Sequence, residues 1–105
     1  MEKDFKLYAT LIKALGDETR IKIFTTLTHG ERCACKILDE LTISQSTLSY
    51  HMKILCDSGL VKGRRDGIWM RYTIDTEILE SLRGFFDELA AANAGPSLNC
   101  NCKGE

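Results

Sequence analysis

The chain has one proline among 105 residues, Pro96, which excludes a proline-rich or collagen-like polymer. It also lacks a charge excess. Fourteen Lys and Arg face fifteen Asp and Glu, a formal −1 at pH 7 with a pI near 6.1. Nothing global therefore announces a polyanion partner, and any basic surface must be local. No apolar run is long enough to span a bilayer, and the opening MEKDFKLYAT holds no signal-peptide core. The expected setting is the cytoplasm, with no membrane partner. What the chain does have is 44% hydrophobic and 28% charged residues, a balance that suits one compact domain and no multidomain enzyme. It also has five cysteines. In a reducing compartment, closely spaced cysteines point to metal ligands or redox sensors rather than to disulfides. A domain of this size buries only about 60 to 70% of its unfolded surface, so an added dimer interface is expected.

Helical spacing runs through the first half. Phe5, Tyr8, Leu11, Ile12 and Leu15 form one stripe that Gly16 ends. Asp17 is placed to cap a second helix carrying Ile21, Ile23, Phe24 and Leu27, which His29 and Gly30 close. Cys33, Ile37, Leu38 and Leu41 predict a third helix of roughly two turns, short enough to need tertiary packing. Ser44 caps a fourth, in which Leu48, Met52 and Leu55 draw an apolar stripe opposite Gln45, Ser46, Ser49, Tyr50 and Lys53. After Gly59 the period changes to alternation on both sides of a turn at Asp66-Gly67, the pattern of a β-hairpin. Asp75 then caps a last helix whose Ile78, Leu79, Leu82, Phe85, Phe86 and Leu89 make a wider apolar face than a lone surface helix needs. The expected fold is mainly α with a small β-hairpin, a winged helix-turn-helix that dimerises. Residues 1–93 form its DNA-binding and dimerisation domain, and residues 94–105 a flexible tail containing two cysteines.

The neutral total conceals a segregation. Residues 44–72 hold five basic and two acidic groups, a net +3, whereas residues 73–105 hold two basic and six acidic, a net −4. The positive segment is the one that would face DNA. Gln grips adenine through two hydrogen bonds, Ser and Thr serve bases or phosphates, and an exposed helix start attracts phosphate. The candidate DNA-binding residues are Ser44, Gln45, Ser46, Thr47, Ser49 and Tyr50 for the groove, with Lys53, Arg64 and Arg65 for the backbone. His51 joins them as a DNA contact or, equally, as a packed residue hydrogen-bonded internally. Trp69 and Tyr72 read as the core of the wing.

Cys33-Ala34-Cys35 is the chemically suggestive pair. On a regular helix, residues i and i+2 point about 200° apart and cannot close on one ion without bending the backbone. The first turn of a helix is where such bending is cheapest, and a helix start beside Arg32 and Lys36 favours thiolate. Burial as small hydrophobes suits one member of the pair and hardly both. C-x-C alone is a weak zinc motif, since structural zinc takes four ligands. Cys56 reads as core. Cys100 and Cys102 repeat the C-x-C spacing in the tail, as further thiolates for a metal or as an incidental soft-metal trap.

Several of these segments resemble the arsenic-responsive repressors of the ArsR/SmtB type. They are Ala14-Leu15-Gly16-Asp17-Glu18-Thr19-Arg20, Glu31-Arg32-Cys33-Ala34-Cys35-Lys36-Ile37-Leu38, Ser44-Gln45-Ser46-Thr47-Leu48-Ser49-Tyr50-His51-Met52-Lys53-Ile54-Leu55, and Ser58-Gly59-Leu60-Val61 leading into an Arg-rich wing. The resemblance covers residues 5 to about 90. It implies a homodimer held by its first and last helices on double-stranded operator DNA, a repressor of an arsenic-resistance operon and not an enzyme. It also implies release when As(III) binds Cys33 and Cys35, with Sb(III) or trivalent organoarsenicals as further inducers and no permanently bound cofactor. The family's better-known third cysteine is replaced here by Leu38, so a third ligand must come from elsewhere or be dispensable. Residues 75–92 contain no histidine, which disfavours the zinc site that other members carry on the last helix. A thiol redox or persulfide response through Cys33, Cys35 or Cys56 is the alternative signal. A thiol oxidoreductase acting on arsenate is disfavoured by the absence of C-x-x-C and of a phosphate cradle.

Overall fold

The computed structural model describes residues 4–95. The elements follow in the order α1 (Phe5–Leu15), α2 (Glu18–Thr26), a single 3₁₀ turn (Leu27–His29), β1 (Arg32–Cys33), α3 (Ala34–Leu41), α4 (Gln45–Ser58), β2 (Val61–Asp66), β3 (Trp69–Ile74) and α5 (Thr76–Asn93). The starts are fixed by side chains that accept from orphan backbone N–H groups. Asp4 accepts from Leu7, Asp17 from Arg20, Ser44 from Thr47, and Asp75 from Glu77 and Ile78. Gly59, at φ 92°, ends α4 in the left-handed conformation that glycine adopts without penalty. Thr42 ends α3 at φ 53°, a conformation rare for a β-branched residue, inside the turn that sets α3 against α4.

Leu11, Ile23, Leu27, Ile37, Leu48, Met52, Leu55 and Leu60 meet in the core, joined by Val61 and Tyr72 of the hairpin and Leu82 of α5. Ile21, expected among the apolar positions of α2, is 50% exposed and takes no part. The hairpin is as expected, but its turn lies one residue later. Asp66 pairs with Trp69, so Gly67 and Ile68 form the two-residue loop. Gly67 has φ 67° and Ile68 does not have a positive φ, the sign pattern of a type II′ turn. Gly63 lets the hairpin close on itself, because a Cβ there would lie 3.0 Å from Met70 Cε and 3.0 Å from the Tyr72 ring.

A third strand was not foreseen. Arg32 and Cys33 pair antiparallel with Tyr72 and Arg71, giving a sheet of order β1-β3-β2. Two residues carry no alternation to read, and β1 exists because β3 offers it an open edge. On the other side of the molecule, α5 buries only Leu82, although the Phe85 ring stacks on Tyr8 of α1 at 4.3 Å. Phe86 and Leu89 of α5 are each 48% exposed, and Phe5 and Ile12 of α1 are exposed as well. No helix among the described residues is long and apolar enough to cross a membrane.

Candidate nucleic-acid interface and thiol site

The capping bond of Ser44 to Thr47 N, at 3.1 Å, orients the first turn of α4 and leaves Gln45, Ser46 and Thr47 exposed. Ser49, Tyr50 and Lys53 continue the same exposed face. Lys53 Nζ lies 3.1 Å from Asp57 one turn on, an exposed pair that opens at little cost. The opposite face packs Leu48, Met52 and Leu55 into the core, so α4 is anchored along one side and free along the other.

His51 lies on the anchored side, the packed and internally hydrogen-bonded position that was one of its two expected placements. It is 9% exposed, and its Nδ1 accepts from Arg20 Nη1 at 3.1 Å. A guanidinium can only donate, so Nδ1 must be the bare nitrogen of the ring. Arg20 Nε also donates to the Ala14 carbonyl at 2.7 Å, and the three helices α1, α2 and α4 are thereby tied at one point.

Strand alternation separates the two consecutive wing arginines. Arg65 pairs in register with Met70, on the face that, with Gln45, Ser49 and Tyr72, lines a hollow against α4. Arg64 pairs with Arg71, which in turn pairs with Cys33, so these three lie in one row on the opposite face. Both arginines of that row are held. Arg64 donates through Nε and Nη2 to the two oxygens of Glu31, at 2.8 and 2.9 Å, and Arg71 Nε donates to Asp66 at 2.6 Å. These bonds hold the Glu31 and Asp66 carboxyls below their ordinary range. Lys62 and Arg65 are exposed and, among the described residues, carry no such carboxylate.

The cysteines depart from expectation in a way that matters. Cys33 is not in the first turn of α3 but precedes it, with extended backbone at φ −72° and ψ 142°, and caps the helix. The two cysteines are therefore not held about 200° apart as two residues of one regular helix would be. Cys33 Sγ accepts from Cys35 N at 3.3 Å and from the Cys35 thiol at 2.6 Å, so the two sulfurs already share one spot. The bond from Cys35 pulls the Cys33 thiol below its ordinary value against the opposing effect of burial, aided by the Cys35 N–H and the charge of Arg71. The same shared bond raises Cys35. Cys33 is buried and Cys35 half-buried, at the edge of an open hollow of about 550 Å³ lined also by Glu31, Lys36, Trp69 and Arg71. Among the described residues no three His, Cys, Asp or Glu side chains are grouped to hold a metal ion, so the pair stands as a two-sulfur site. Cys56 packs against the core, and burial raises its thiol, in keeping with its expected role. Cys100 and Cys102 lie outside the described residues.

The carboxylates were not among the expected site residues. Glu31 reaches Arg64 from 33 positions away, a separation that no local pattern reveals.

Comparison with known proteins agrees with this architecture. Residues 17–62 match the family model described as bacterial regulatory protein, arsR family. An uncharacterized HTH-type transcriptional regulator of Methanocaldococcus jannaschii is 41% identical over 85% of the chain and its own full length. The arsenical resistance operon repressor of Staphylococcus xylosus is 36% identical over 94% of the chain and 91% of its own. A crystallised ArsR family transcriptional regulator superposes with a TM-score of 0.82 over 92% of this chain and 100% of that one, at 18% identity, and so speaks for the fold alone. With relatives this similar over almost its whole length and a winged helix built on α3 and α4, the chain belongs to the ArsR family, a family of DNA-binding transcriptional repressors and not of enzymes.

Proposed function

We propose that this protein is a cytoplasmic, homodimeric repressor of an arsenic-resistance operon, which leaves its double-stranded operator when a trivalent metalloid binds Cys33 and Cys35. The observation that carries this reading is the 2.6 Å approach of the two sulfurs beside an open hollow, at the start of the helix that supports α4. Trivalent arsenic is thiophilic. With arsenite, each thiol displaces one hydroxyl: two As–S bonds replace two As–O bonds, the thiol protons leave in two waters, and no electrons change hands. A metalloid bearing one organic group needs no third sulfur, whereas inorganic As(III) or Sb(III) would retain an oxygen or recruit Cys100 or Cys102. The exposed Phe5 and Ile12 on α1, with Phe86 and Leu89 on α5, supply the apolar face for the second copy.

Moving a repressor from 99% bound to 99% free takes a differential affinity of about 5.5 kcal/mol, and linkage requires operator DNA to weaken metalloid binding by the same factor. The test is operator binding by fluorescence anisotropy with arsenite, a phenylarsenical, antimonite, zinc and cadmium. Release by trivalent metalloids that disappears in Cys33→Ser and Cys35→Ser, with DNA binding kept, supports the reading. Operator affinity unchanged by every trivalent metalloid refutes it. Release by an oxidant or persulfide in their place would assign the switch to thiol oxidation.

A further inference from the structure

The row formed by Cys33, Arg71 and Arg64 crosses all three strands of the sheet, and its far end returns to the chain just before its start. Glu31 lies two residues ahead of Cys33 and is gripped by Arg64 on β2 through two parallel N–H···O bonds of 2.8 and 2.9 Å. This is the fork-to-fork geometry that fixes orientation as well as distance. The approach to the cysteine pair is thus fastened to the sheet twice. One fastening is the backbone ladder from β1 to β3, and the other is a side-chain bridge that passes over β3 to reach the wing's outer strand. Glu31, Cys33 and Arg71 line the sulfur hollow, while Glu31, Arg64 and Arg71 line a second hollow of about 300 Å³ on the hairpin. Glu31 is therefore common to the sensing site and to the wing.

We propose that Glu31 is a positioning residue that couples the cysteine site to the wing, by holding Arg64 so that displacement of Cys33 is passed to β2. The inference rests on the sensing reading above and adds its route. An atom bonded to both sulfurs must enter between groups that now touch, so the sulfurs must part, and of the two residues Cys33 is the one laddered to β3. The segment that moves with it carries the Glu31 carboxylate. Arg64 either follows, carrying β2 and Arg65 on its opposite face, or lets go and frees the wing from the sheet edge. In both cases the geometry presented to DNA changes together with the thiol site. Without the bridge, the two-residue ladder of β1 and the packing of α3 on β3 connect the two, and neither reaches β2 directly.

The experiment compares wild type with Glu31→Gln, Arg64→Gln and the double variant. The quantity is the ratio of operator dissociation constants with and without saturating arsenite, so that any effect on DNA binding alone divides out. Arsenite binding is followed separately through the fluorescence of Trp69, the single tryptophan, which lines the sulfur hollow. The expected result is an arsenite midpoint near wild type in each variant, with the release ratio reduced by about 2- to 30-fold, the range over which coupling residues act. The double variant should lose no more than either single one. The exchanged pair, Glu31→Arg with Arg64→Glu, should restore the ratio and guards against a single variant that folds poorly. A wild-type ratio of one overturns the sensing reading and the coupling with it. A normal wild-type ratio that persists in both single variants, or a double variant whose loss is the product of the two, overturns the coupling alone.

Discussion

The division of the wing cations makes a quantitative statement about salt. Arg64 is paired with Glu31 and Arg71 with Asp66, while among the described residues Arg65 on the α4 face has no carboxylate and Lys53 has only an exposed partner one turn away. Two cations per protomer on the α4 side, Lys53 and Arg65, are therefore ready to neutralise phosphates, or four in the proposed dimer, whereas alternation along β2 puts Lys62 on the Arg64 face. Each phosphate neutralised on duplex DNA contributes about −0.9 to the slope of log K against log salt, so the expected slope is about −3.6. Between 50 and 200 mM salt the affinity should then fall by roughly 150-fold. Had Arg64 also met a phosphate, the slope would be about −5.4 and the loss near 2,000-fold. Anisotropy titrations of a labelled operator across that range separate the two. Arg65→Gln should flatten the slope by about 1.8, the effect of two lost contacts per dimer, while Arg64→Gln should move it much less. A slope near −5.4 in wild type, or equal flattening by both substitutions, would refute the assignment of the two arginines to different faces and different work.

Three further outcomes follow from local geometry. Ser44→Ala removes the acceptor that holds Thr47 N and should cost about 1 kcal/mol, read as a fall of roughly 4–8 °C in Tm; an unchanged melting curve would deny Ser44 its capping role. Gly63→Ala places a methyl against the Tyr72 ring and Met70 and should destabilise by about 1–3 kcal/mol in urea unfolding, because the ring is buried; neutrality would mean that the hairpin tolerates a wider gap than it has. The bond from Cys35 lowers the Cys33 thiol, and burial raises that of Cys56, so as pH is raised from 6 to 9 iodoacetamide should label Cys33 before Cys56. Cys35→Ala should shift the Cys33 profile to higher pH, since its proton donor is lost, and mass spectrometry showing the profile unmoved would remove that bond as the cause.

The helices were legible because each begins at a residue with a short polar side chain and carries an apolar stripe, and both signals are local. Asp17, Ser44 and Asp75 cap where expected, and α4 turns its polar face outward as its spacing implies. Structure departs from the local signal where tertiary pairing overrides it. The stripe of Cys33, Ile37 and Leu41 reads as one helix, yet Cys33 is drawn into an extended conformation by the open edge of β3. The hairpin was visible but its register was not, and a shift of one residue moved Ile68 from strand to loop tip, where it is 85% exposed. His51 could not be placed without Arg20, which arrives from another helix. Alternation alone implied that Arg64 and Arg65 point oppositely. Which of them faces α4 depends on how the sheet docks, and that information lies in the core contacts of Val61 and Tyr72.

The cap on α3 carries one more consequence. Helices are usually started by an oxygen, and here the acceptor is the Cys33 sulfur, a weaker one, at 3.3 Å from the N–H it serves. A metalloid bound there, as proposed, would compete with the beginning of the helix, so the fastening would set a threshold for response as well as a shape. An oxygen cap contributes about 1 kcal/mol, and a tighter fastening of that order would raise the concentration needed for half response about fivefold. A serine at the same place would hold the helix more firmly and ignore a thiophile. Under the proposed function, the thiol gives up some helix stability for a catch that would open at low concentrations of the metalloid.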